Sequence, residues 1–193
     1  NPKNIPLEDK FGETYFSMIP FAVKNEEDIK AYVRTAYENI PNGKRSVVLA
    51  HIPIKGGIES ESERKFVGNV EYIDANIFSG FNYVALGHLH SPHIPEGAPN
   101  NIRYAGSPLK YSFDKNEREK SVTIVDIAGL GNIEPKIIRL KPKRDLVIVE
   151  GKFNELVNRK PIPDYAQIIL TDDTYIYETE KLRNAFPNFL EVK

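Results

Sequence analysis

Tyr83-Val84-Ala85-Leu86-Gly87-His88-Leu89-His90 is the stretch on which the reading of the fold depends. Tyr83 to Leu86 is a short, continuously apolar run, the signature of a strand covered on both faces. Gly87 permits close backbone approach at the strand's carboxyl end, and two histidines follow it. Upstream, Ser46-Val47-Val48-Leu49-Ala50 has the same character and ends at His51. Before that run, Thr14 to Ile19 is β-rich and Pro20 ends it. Asn25 is a good N-cap, and Glu26, Glu27 and Asp28 suit the positive end of a helix dipole. Ile29, Val33, Ala36, Tyr37 and Ile40 recur at helical spacing until Pro41-Asn42-Gly43. The first 50 residues therefore spell β-α-β.

Further along, residues 55–64 form a polar, Gly-containing segment. Val70 to Ile73 is a small strand, and Asp74 to Phe78 is about one helical turn. Ile102 to Ala105 is extended. Val122 to Ile127 and Ile133 to Leu140 read as a hairpin around Gly129-Leu130-Gly131. Lys141-Pro142-Lys143-Arg144 breaks the pattern, as a Pro in an exposed basic linker does. It divides the chain into residues 1–141 and 142–193. The second part reads as a strand (Leu146 to Val149), a helix (Phe153 to Asn158), a strand (Ala166 to Leu170), a helix (Glu178 to Phe186) and a strand (Phe189 to Val192). The expected class is α/β (α+β).

Composition narrows the functions available. With 193 residues, 40% hydrophobic and 27% charged, the chain can bury a core. Its 26 Lys+Arg against 27 Asp+Glu advertise no nucleic-acid partner globally, so any such contact must be local. Having no Cys excludes disulfides, Cys zinc sites and thiol nucleophiles, and fits a reducing, cytoplasmic setting. No apolar run approaches the ~20 residues of a membrane span. The chain begins Asn1-Pro2 and its one Met is Met18, which suggests part of a longer protein.

Three of the four histidines fall at 88, 90 and 93, and the fourth is His51. If the second strand continues through His88 and His90, both share a face. With His51 on a neighbouring parallel strand they make a transition-metal corner, at the strand ends where open α/β sheets place their sites. A two-metal hydrolase needs carboxylate ligands as well, yet Asp-x-His, Gly-Asp and Gly-Asn-His-Asp are all absent. A mononuclear three-His site remains open on these residues, as does a non-catalytic module whose histidines are structural.

Val47 to Ile52 resembles the fourth motif of the calcineurin-like metallophosphoesterases, and Gly87-His88-Leu89-His90 their fifth. Phe81 to Pro92, Ile102 to Leu109, Ser112-Phe113-Asp114, Lys120 and Ser62-Glu63-Arg64 resemble the SbcD-type nuclease subunit of the double-strand-break repair family. The likeness continues through Val149-Glu150-Gly151, Ile169 to Asp172 and Leu182 to Asn188. It implies the C-terminal half of a nuclease domain, part of a four-layer α/β/β/α sandwich, over residues 1–141. It implies an incomplete capping domain over 142–193.

The resemblance also implies two Mn2+ (or Mg2+) ions, with His51 and His88 as ligands of one and His90 of the other. The remaining ligands and the catalytic His would lie in a missing N-terminal half, leaving this chain inactive alone. His93 stands where the family often has Gln and is not counted as a ligand. The implied partners are DNA, an SbcC-type ABC ATPase and a second copy of the intact protein, with no membrane. Arg103 and Ser107 are implied phosphate contacts. Lys141, Lys143 and Arg144, with Lys136 and Arg139, are a candidate DNA-binding patch. Tyr175 and Tyr177 read as ordinary aromatics. The rival enzyme reading is a metallophosphoesterase acting on small phosphodiesters or phosphoproteins.

Overall fold

The computed structural model describes residues 3–19, 25–64, 72–114, 118–128, 133–173 and 178–193, the side chain of Arg64 excepted. Val70, Pro20, the Gly129–Gly131 turn, Tyr175 and Tyr177 lie outside them. The chain divides into two compact units. The first is Asn1–Pro108 with Arg118–Leu140, and the second is Leu109–Glu117 with Lys141–Lys193.

The first unit is built on a five-stranded sheet in the order β1-β2-β3-β4-β5. Its strands are β1 (Asn4–Asp9), β2 (Gly12–Ile19), β3 (Arg45–His51), β4 (Tyr83–Gly87) and β5 (Ile102–Tyr104). The first two are antiparallel and every later neighbour is parallel. Helix α1 (Glu26–Glu38) makes the crossover from β2 to β3. The Asn25 side chain accepts from the Asp28 N–H at 2.8 Å, and Ile29, Val33 and Ala36 form the buried stripe. Burying Ile29 and Val33 stabilises the unit by about 1.5–3 kcal/mol each. They pack with Val48, Ala50, Val84, Leu86 and Phe78, the last from a 3-10 turn at Ala75–Phe78.

The opposite face of the sheet carries Val47, Leu49 and His51 by strand alternation. Ser121 to Thr123, Val125 and Ile127 lie across from Phe16, Val47 and Tyr83 there, around a cavity of about 530 Å3. Leu49 and Met18 remain 37% and 48% exposed, so β3 is doubly covered only in part. Strands β6 (Ser121–Ile124) and β7 (Lys136–Arg139) pair antiparallel, as the hairpin pattern predicts.

Two elements escape the sequence reading. β1 has Pro6 and exposed Ile5 and Leu7, a pattern tolerated on an edge and lacking a buried face. Its register is held by Asn4, which accepts from the Ser17 hydroxyl and donates to the Ala36 carbonyl, both at 2.7 Å. Helix α2 (Glu61–Arg64) is a single turn inside the polar segment.

The second unit is a three-stranded parallel sheet of β8 (Leu146–Gly151), β9 (Tyr165–Leu170) and β10 (Phe189–Val192), with β9 in the centre. Helices α3 (Phe153–Leu156) and α4 (Thr179–Leu182) place Leu156 and Leu182 against Ala166, Ile168 and Phe186. Helix α4 is shorter than its pattern predicts because Pro187 cannot continue it and disfavours helical geometry at Phe186. The Leu182 carbonyl instead accepts from both Ala185 and Phe186. The fold is thus mixed α/β, with parallel and antiparallel sheets and few helices.

Candidate metal centre

Parallel pairing of β3 with β4 sets His51 opposite Gly87, one residue before His88. Gly87 is required there: a Cβ on it would stand 2.8 Å from His51 Nδ1. Space that any other residue would fill therefore holds the His51 ring. His88 adopts φ 99°, and among the described residues it alone is a non-glycine with positive φ. A left-handed backbone costs an ordinary L-residue free energy, of order 1–3 kcal/mol, and such strain clusters at functional sites. The turn brings the His88 ring edge-on to His51, with centroids 5.5 Å apart and planes at 79°.

That turn corrects one expectation. β4 ends at Gly87, so His88 and His90 do not share a strand face. Burial pushes the His88 pKa down and His51 pushes it further; Glu63 pulls the other way, and His90 adds a smaller downward push. His88 is thus kept as the neutral imidazole that a metal requires.

His90 is held from several sides. Its N–H donates to Glu63 Oε1. Its carbonyl accepts from the Ser107 N–H at 2.9 Å, the Ser107 hydroxyl at 3.4 Å and the Lys120 ammonium at 2.8 Å. Its Nδ1 lies 2.7 Å from Ser62 Oγ and 3.4 Å from Glu63 Oε1. Gly106 lets the Ser107 turn approach, since a Cβ there would meet the His90 carbonyl at 2.8 Å and Pro92 N at 2.7 Å.

Glu63 is 3% exposed. Burial pushes its carboxyl up, but the Ser60 hydroxyl, the His90 and Ser60 N–H groups and the His90 ring outweigh this and hold it below its ordinary value. The sequence gives Glu63 no role of its own within Ser62-Glu63-Arg64. The signal was the capping-box spacing Ser60-x-x-Glu63.

The remaining candidates are dispersed. Arg103 lies opposite Ala85 on β5 and lines the cavity beside Tyr83. Its Nε is buried with no hydrogen-bond partner among the described residues. Burial pushes the Tyr83 hydroxyl pKa up, and Arg103 partly offsets this. Arg139 makes an exposed ion pair with Glu119 at 2.9 Å. Lys141, Lys143 and Arg144 belong to the second unit and are all exposed there.

His93 is a structural histidine. At 2% exposure, its Nδ1 lies 2.7 Å from the Ser91 carbonyl and its Nε2 accepts from the Ile58 N–H at 2.9 Å. Its ring stacks on Tyr104 at 5.0 Å.

Among the described residues, no three His, Cys, Asp or Glu side chains stand together closely enough to hold a metal ion. His51 and His88 nevertheless fit one in part. They are adjacent imidazoles at the carboxyl ends of parallel strands, one given room by Gly87 and the other strained into place. Imidazole donors suit first-row transition metals.

A mixed α/β sheet with imidazoles at adjacent strand ends is consistent with a metallophosphoesterase-like fragment. No protein-family model matches the chain. It is 35% identical over 175 residues to the SbcD subunit of the nuclease SbcCD from Staphylococcus saprophyticus subsp. saprophyticus, covering 83% of this chain and 45% of that protein. It is 32% identical over 197 residues to the SbcD subunit of the nuclease SbcCD from Staphylococcus epidermidis, covering 91% of this chain and 52% of that protein. The chain belongs to this SbcD-type family and spans about half the length of the curated relatives it matches. Among the described residues no helix is long and apolar enough to cross a membrane.

Proposed function

We propose that this chain is part of a metal-dependent DNA nuclease subunit that works in DNA repair. The reading is carried by one conjunction: identity with SbcD sequences over most of the chain, and the His51–His88 pair at the strand ends. In it, the first unit contributes to the nuclease domain and the second to a capping domain. The partners are DNA, an SbcC-type ATPase and another copy of the intact protein, in the cytoplasm.

His51 and His88 would hold one ion and His90 would contribute to a second, with Mn2+ the proposed metal. Bound ions would supply Lewis-acid polarisation of a phosphate and a more acidic water. The chain's own residues supply the rest. Burial and neighbouring rings keep His88 neutral. The Arg103 guanidinium is a candidate phosphate donor. Lys141, Lys143 and Arg144 offer sequence-neutral backbone contacts.

Among the described residues no third metal-ligating side chain joins the His51–His88 pair, and the chain alone is proposed to be inactive. The test compares hydrolysis of duplex DNA and of a chromogenic phosphodiester by a protein of the relatives' full length that contains this chain. DNA cleavage that needs Mn2+ and is lost in His88→Ala is expected. A preference for the small ester, or cleavage indifferent to His88, would overturn the proposal.

A further inference from the structure

Ser60, Ser62, Glu63 and His90 form a chain of polar contacts whose protons can be counted. Ser60 and Glu63 are 2% and 3% exposed, so water does not share the Ser60–Glu63 step. When ionised, Glu63 can only accept, and its Oε2 takes both the Ser60 N–H and the Ser60 hydroxyl proton. A serine hydroxyl has one proton to give. The contact between Ser60 Oγ and Ser62 Oγ, at 2.7 Å, must therefore be donated by Ser62. With its proton spent there, Ser62 Oγ can only accept from His90 Nδ1 at 2.7 Å. The order is fixed end to end: His90 Nδ1–H to Ser62, Ser62 to Ser60, Ser60 to the Glu63 carboxylate.

We propose that Glu63, through the Ser60–Ser62 hydroxyl relay and its own bond to the His90 N–H, is a positioning residue that locks His90 in the Nδ1–H tautomer and presents its Nε2 lone pair to a metal. The relay part stands on the proton count alone. The metal part rests on the function proposed above. Metal-ligating histidines characteristically give their second ring N–H to an oxygen acceptor, which fixes tautomer and orientation. Glu63 thereby combines two tasks. One oxygen closes the capping box of α2, and the other grips the backbone of the residue whose ring the box orients.

The test is 15N NMR of the histidine rings in the full chain at about pH 8, above the ordinary histidine pKa of about 6.5. Wild-type His90 is expected as the Nδ1–H tautomer. Ser62→Ala removes the acceptor but leaves the Glu63 cap, so His90 should shift toward Nε2–H with the thermal midpoint nearly unchanged. Glu63→Gln should shift the tautomer as well, and a circular-dichroism melt reports whether it remains folded. An Nε2–H tautomer in the wild type, or populations untouched by Ser62→Ala, would overturn the relay. Mn2+ titration of a protein of the relatives' full length that contains this chain separates the two claims. Broadening of His90 Nε2, weakened several-fold in Ser62→Ala, supports the metal part. A correct tautomer with no Mn2+ effect at His90 supports the relay and overturns the metal part.

Discussion

Replacing Tyr104 with Phe isolates two hydrogen bonds that hold the loop after His51. The Tyr104 hydroxyl accepts from the Ile54 N–H at 2.7 Å and donates to the Ile52 carbonyl at 2.9 Å. Ile52, Ile54 and Tyr104 are 2%, 0% and 0% exposed, so water cannot replace the lost oxygen without opening the core. Burial also pushes the hydroxyl pKa up, so it acts only as a neutral bridge. Tyr104→Phe keeps the ring and its stack on His93. It leaves one buried donor and one buried acceptor unmatched, each costing about 1–3 kcal/mol. Removing the hydroxyl's own desolvation offsets part of this, which leaves a net loss of about 2–4 kcal/mol. At ~2–4 °C per kcal/mol for a chain of this size, the midpoint should fall by about 5–15 °C. Urea unfolding followed by circular dichroism measures the loss, and amide exchange at Ile54 localises it. A change below about 0.5 kcal/mol, the range of an ordinary surface substitution, with Ile54 still protected, would refute the claim that the hydroxyl anchors this loop.

Gly87→Ala should displace the His51 ring, because its Cβ would stand 2.8 Å from His51 Nδ1; on the proposed metal reading, Mn2+ affinity of the intact protein falls at least several-fold while the circular-dichroism spectrum is retained. Arg45, 6% exposed, donates to Asp9 at 2.7 Å, to the Ile127 carbonyl at 3.0 Å and to the Gly12 carbonyl. Arg45→Ala should cost about 1–3 kcal/mol in urea unfolding by taking the donor from the half-buried Gly12 and Ile127 carbonyls. Burial, followed by Arg118 and Arg103, lowers the His93 pKa against upward pulls from the Ser91 carbonyl and Glu63. The unfolded chain therefore takes up the proton first, and stability falls as pH drops below about 6.5, by up to about 1.4 kcal/mol per pH unit, until the lowered native pKa is reached. His88 titrates with the same sign. His93→Gln, whose amide oxygen can still accept from Ile58, should flatten part of that acid slope in stability-versus-pH curves. On the proposed DNA reading, alanine at Lys141, Lys143 and Arg144 should reduce the log–log salt slope of duplex binding by about one per residue, measured by fluorescence anisotropy.

What the sequence disclosed followed burial. Helix α1 was legible because Asn25 caps it and Ile29, Val33 and Ala36 repeat at its pitch. β3 and β4 were legible as apolar runs. β1 was not, because an edge strand with Pro6 has no apolar face to repeat. α2 is one turn, too short for periodicity, and only its capping-box pair betrays it. The adjacency of His51 and His88 could be read from two strand ends. The departure of His90 from their face could not, because it depends on one backbone angle, φ at His88. Glu63 was hidden for a related reason: a lone acidic residue in a polar loop looks solvated until the fold buries it beside His90.

The central claim is that His51 and His88 are two ligands of one metal ion. Anomalous diffraction from Mn2+-soaked crystals of a protein of the relatives' full length that contains this chain measures it directly. The account predicts a peak within bonding distance of a ring nitrogen of His51 and of His88, with none at His93. A peak only at exposed carboxylates, or at His93 with the His51 and His88 rings uncoordinated, would contradict it.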